Sequence, residues 1–88
     1  MDKESIIEAL QVLEQANSNP NGYCTGEVLS VLNIEATREN EKQVRKILRS
    51  LISKRSHPEF ATAENDNIVY CPGGKGSGTY RLTVYKGQ

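Results

Sequence analysis

NEKQVRKILRSLISKR, residues 40–55, carries two patterns at once. At the 100° turn per residue of an α-helix, Val44, Ile47, Leu48, Leu51 and Ile52 recur at i, i+3, i+4, i+7 and i+8, an apolar face wide enough to sit on a core. Lys42, Lys46, Arg49 and Ser53 collect on the opposite side within an arc of about 60°. The stretch therefore reads as a helix anchored by one face and presenting a basic stripe on the other. Two starts fit it: Asn40 with Gln43 has capping-box spacing, and Thr37 as cap adds about one turn. The helix is expected to run until Ser56, His57 and Pro58, because a residue before proline is pushed out of the helical region.

Working back from this segment, Asp2–Asn17 reads as a first helix with Ile6, Leu10 and Leu13 inward, joined by Ile7 and Ala16 at the margin. Glu4, Glu8 and Glu14 are expected on its outer face, and either Asp2 or Ser5 suits its N-cap. NSNPNG, residues 17–22, is turn chemistry. Tyr23 and Cys24 form an extended patch long enough only to pair with a hairpin edge. Thr25 can cap a short helix, Gly26–Leu32, with Val28, Leu29 and Leu32 inward. Asn33 suits its C-terminal end, and Ile34 reads as a plug between two helices.

Beyond the basic segment the period changes from 3.6 to 2. Residues 59–67, EFATAENDN, read only as a short strand or loop around Phe60. Ile68–Cys71 and Thr79–Lys86 read as strands, the second alternating Tyr80, Leu82 and Val84 with Arg81, Thr83 and Tyr85. PGGKGSG, residues 72–78, makes a hairpin tip with Lys75 at its centre.

Eighty-eight residues are expected to form one domain with a small shared core. The zero net charge conceals an asymmetry: residues 1–41 hold eight acids and two bases, residues 42–88 three acids and nine bases. If the fold separates these halves, one surface attracts polyanions and the other repels them. With no apolar run near the roughly 20 residues of a membrane span, a soluble cytoplasmic protein is expected. Cys24 and Cys71, 47 positions apart, suggest small buried apolar residues instead of a zinc site or disulfide framework.

Helix, extended patch, short helix, longer basic helix and C-terminal hairpin is the order of the winged helix-turn-helix family, which this chain resembles. The resemblance is carried by TGEVLSVLNI (25–34), NEKQVRKILRSLISKR (40–55) and IVYCPGGKGSGTYRLTVY (68–85), and with the first helix it spans nearly the whole chain. It implies an α+β fold, a three-helix bundle with a C-terminal β-hairpin, in one domain over residues 1–88. It implies further that the third helix enters the major groove of double-stranded DNA, with Asn40, Lys42, Gln43, Lys46 and Arg49 at base edges and phosphates, Arg45 at the flank and Lys75 on the backbone. These residue types suit that work: Arg and Lys bond guanine, Asn and Gln pair with adenine, and charged stems reach phosphates. A transcriptional regulator is the expected role, working as a homodimer or with a protein partner, since one module contacts only a few base pairs. The other reading is a winged-helix protein-interaction module, favoured by overall neutrality and by Glu39 and Glu41 at the start of the basic helix.

No enzyme, cofactor, metal or small-molecule substrate is expected. GGKGSG lacks the GxxxxGK[ST] spacing of a phosphate loop and is followed by a strand, not a helix. His57, the single histidine, has no Cys or Asp spaced to share a metal or to make a nucleophile–base pair. Tyr23, Tyr70, Tyr80 and Tyr85 are expected to complete the core with their hydroxyls at its rim.

Overall fold

The apolar periodicities of the sequence are realised as three helices around a small antiparallel sheet in the computed structural model of the chain, which describes residues 1–52, 68–74 and 77–86. Helix α1 spans Lys3–Ala16 and starts at Asp2, whose Oδ1 accepts the Ser5 N–H at 2.9 Å. Of the two candidate caps, Asp2 is the one used. Ile6, Ala9 and Leu10 are buried, whereas Ala16 is exposed, so the inward face turns toward Ala9 relative to expectation. Gly22 ends the following turn at φ +83°, and a Cβ there would stand 3.0 Å from the Tyr80 carbonyl oxygen. Both the conformation and the close approach require glycine.

Strand β1, Tyr23–Cys24, leads directly into helix α2, Thr25–Val31. Thr25 is the first helical residue, not the cap; the cap position is Cys24, whose N–H donates to Glu27 Oε1 at 3.2 Å. Asn33 adopts φ +59°, the left-handed conformation that ends a helix, and the Ile34 N–H returns to the Leu29 carbonyl at 3.0 Å. This lays Ile34 against the core as the expected plug.

Helix α3 spans Arg38–Ser50, with Thr37 Oγ1 accepting the Asn40 N–H at 3.1 Å. Of the two expected starts the Thr37 cap is the one used, and the helix ends earlier than expected. Its end has a packing cause: Leu51 and Ile52 are both buried, and Ile52 bridges Val69 in parallel while the Val69 N–H donates to the Leu51 carbonyl at 3.0 Å. The expected continuation through Arg55 and the strand or loop at 59–67 lie outside the described residues.

Strands β2, Val69–Tyr70, and β3, Thr79–Leu82, pair antiparallel, and β1 joins the other edge of β3, giving the order β1-β3-β2. The extended patch at Tyr23 thus pairs with the hairpin, Tyr23 opposite Tyr80. The second strand does not continue to Lys86: Thr83–Tyr85 form a 3-10 turn closed by the Lys86 N–H on the Thr83 carbonyl, which leaves Val84 75% exposed. Of the cysteines, Cys24 is exposed, contrary to expectation, whereas Cys71 is half-buried and packs against the core. Ile6, Leu10, Val28, Leu29, Val44, Leu48, Leu51 and Val69 form one cluster where all the elements meet. Among the described residues, no helix is long and apolar enough to cross a membrane.

Candidate nucleic-acid interface

Helix α3 is held by Val44 and Leu48, both 0% exposed, so its orientation is set by the core and its other side is turned outward. On that side Lys42, Gln43, Arg45, Lys46 and Arg49 are exposed. Arg38 joins them, because the cap at Thr37 makes it the first helical residue, four positions before Lys42. Of the two starts the sequence offers, the Thr37 cap brings Arg38 into the helix, and its i−4 spacing from Lys42 adds it to the stripe. Arg38, Lys42, Arg45, Lys46 and Arg49 line one continuous surface depression with Glu41 and Ser50. No described carboxylate forms an ion pair with Arg38, Lys42, Arg45 or Lys46.

Two residues at the start of α3 are engaged inside the protein. The Asn40 side-chain amide donates to the Glu35 carbonyl at 2.8 Å, tying the helix to the turn that precedes it. Glu41 Oε1 accepts from Thr25 Oγ1 at 3.3 Å, which ties this carboxylate to α2 while it still lines the basic depression. Asn40 is therefore half-buried, unlike the other sequence-predicted residues of the helix. Lys75 lies outside the described residues, although Gly74 and Gly78, both at positive φ, flank the tip as glycines in a tight turn do.

The basic surface adjoins the hairpin. Burial raises the Tyr80 hydroxyl above its ordinary range, against the pull of Arg49 and Arg45 nearby, and burial likewise raises the Cys71 thiol against Arg49. Arg49, hydrogen-bonded to the Tyr80 hydroxyl, brings the end of the cationic side of α3 to β3.

A second charged constellation lies on the opposite side of the sheet. Arg81, 1% exposed, donates through Nε to Glu14 Oε1 at 2.5 Å and through Nη2 to Glu14 Oε2 at 3.2 Å. Its other donors reach the Tyr85 carbonyl at 2.8 Å, Ser18 Oγ at 3.2 Å and the Tyr70 hydroxyl at 3.5 Å. The Arg81 guanidinium holds the Glu14 carboxyl below the usual carboxylate range despite burial. Glu14 was expected on the outer face of α1, and Arg81 was read only as alternating with Tyr80, Leu82 and Val84 along its strand. The available signal was that Glu14 sits four and eight positions after Leu10 and Ile6, on the apolar stripe itself.

Among the described residues, no group of three His, Cys, Asp or Glu side chains could hold a metal ion. No family model, curated protein or solved structure matches this chain.

Proposed function

We propose that this chain is a winged helix-turn-helix module that binds double-stranded DNA, α3 lying in the major groove and the β2-β3 hairpin on the sugar–phosphate backbone, in the service of transcriptional control. The observation that carries this reading is the outward side of α3, where five cations line one surface without a described carboxylate paired to Arg38, Lys42, Arg45 or Lys46. An α-helix of ordinary diameter fits the major groove, and lysine and arginine supply both phosphate contacts and guanine contacts. The reading is tested by fluorescence anisotropy with short labelled duplexes between about 50 and 200 mM salt. Four to five neutralised phosphates give a log–log salt slope of about −4, and Lys46→Glu abolishes binding while the circular dichroism spectrum is unchanged. Absence of binding at low salt removes the proposal. Glu4 and Glu8, exposed on α1, favour a second reading as a protein-interaction module, which that outcome would leave standing.

A further inference from the structure

The exposed side of α3 divides into two rows of different chemistry. Arg38, Lys42, Arg45 and Arg49 recur at i, i+4, i+7 and i+11, which keeps them within about 60° of the helix circumference over a length of about 16 Å. Glu39, Gln43 and Lys46 recur at i, i+4 and i+7 beside them, within a similar arc and over about 10 Å. All seven side chains are exposed. The first row is cationic throughout and donates only, with Arg49 hydrogen-bonded to the Tyr80 hydroxyl and Arg45 in its electrostatic reach. The second offers a different hydrogen-bonding character at each step: a carboxylate that only accepts, an amide that donates and accepts, and an ammonium that only donates.

Glu39 is the informative member. It stands exposed in the first turn of α3, beside the cationic row, where a carboxylate is repelled by phosphate, so near DNA its favourable place is a base edge, where the cytosine amino group donates to it. Gln43 matches adenine N6 and N7, and Lys46 matches guanine O6 and N7. None of the three makes a hydrogen bond or ion pair with a described residue, whereas Asn40, the other amide of the helix, is committed to Glu35. The row's length of about 10 Å corresponds to about three base pairs at 3.4 Å each.

We propose that Glu39, Gln43 and Lys46 read about three successive base pairs through contacts to cytosine, adenine and guanine, while Arg38, Lys42, Arg45 and Arg49 hold the phosphates and Asn40 only positions the helix. This rests on the duplex-binding reading and adds to it which residues set sequence preference. The test is selection from a randomised duplex library by the full chain and by Glu39→Ala, Gln43→Ala and Arg45→Ala, each first shown to melt like the parent. The parent enriches a short motif. Glu39→Ala loses discrimination at one position by about tenfold, and Gln43→Ala does so at a neighbouring one, both with the parental salt slope. Arg45→Ala weakens binding to all duplexes alike and lowers the slope by about 1. Binding without any enriched motif, or a motif unaltered in either Glu39→Ala or Gln43→Ala, overturns this assignment of the readers and leaves duplex binding intact. Failure of the parent to retain any duplex at low salt instead removes the duplex-binding reading on which it stands.

Discussion

Tyr80 and Arg81 are neighbours on β3, yet they face two regions that treat charge in opposite ways. On the side of Tyr80 stand Arg45 and Arg49, on a helix whose cations are turned to solvent. On the side of Arg81 a guanidinium is sealed between α1 and the sheet, donating to Glu14, Ser18, Tyr70 and Tyr85. Residue type is the same on both sides; partnership and burial are not. A buried arginine with several partners specifies how α1 docks on the sheet, whereas the exposed cations Arg38, Lys42, Arg45 and Lys46 form no ion pair with a described carboxylate and present like charge to solvent.

The largest expected effect breaks the buried side of this comparison. Glu14→Ala leaves the Arg81 charge inside the protein without its carboxylate, which costs roughly 3 kcal/mol of the small stability of a domain this size. Urea denaturation measures it. The combination Glu14→Leu with Arg81→Met removes both charges and is expected to be less destabilised than Glu14→Ala alone, because no lone charge remains to be desolvated. If the combined variant is the weaker one, packing around the pair matters more than its charge.

An intermediate effect comes from acid. The carboxyl of Glu14 is held below its ordinary value near 4.5, chiefly by hydrogen bonding to Arg81. Folding therefore gains from the ionised form at pH above 4.5, and this gain is lost as pH falls from there through the folded-state value. Thermal melts of the parent between neutral pH and about pH 3 are expected to fall more steeply than those of Glu14→Gln, which has no such carboxyl to protonate. Parallel curves would mean that other carboxylates govern the acid limb.

The two regions also differ in how much of them the sequence discloses. Helix α3 is written locally: Val44 and Leu48 mark its buried face, and the cations follow from the same 3.6-residue period. Order of elements and the pairing of Tyr23 with the hairpin are legible for the same reason, each being a change of period over a few residues. What periodicity misses is contact at a distance. Glu14 and Arg81 are 67 positions apart, so each alone looks like an ordinary surface charge. The early end of α3 was hidden likewise, because Ile52 continues the helical apolar pattern but is taken by Val69 for the sheet. Val84 continues a strand's alternation, yet the ladder closes at Thr83 through Ile68 and the chain turns away.

The smallest expected effect on stability lies on the exposed side, and its sign is diagnostic. Lys42 has Arg38, Arg45 and Lys46 four, three and four positions away on the same helix, and each like-charge pair of this kind is destabilising by a few tenths of a kcal/mol. It also stands in the first half of α3, where a positive charge is unfavourable to the helix dipole. Lys42→Gln is therefore expected to stabilise the free protein slightly, by about 0.5 kcal/mol or less once solvent screening is counted, with the gain shrinking as salt rises. The same change should weaken duplex binding and reduce its salt slope by about 1. A face selected only for solubility has no reason to combine these opposite signs, because removing one exposed lysine from it would leave both quantities nearly unchanged. A loss of more than about 1 kcal/mol in urea denaturation would mean instead that Lys42 is tied to the fold, and the contrast with Arg81 would collapse.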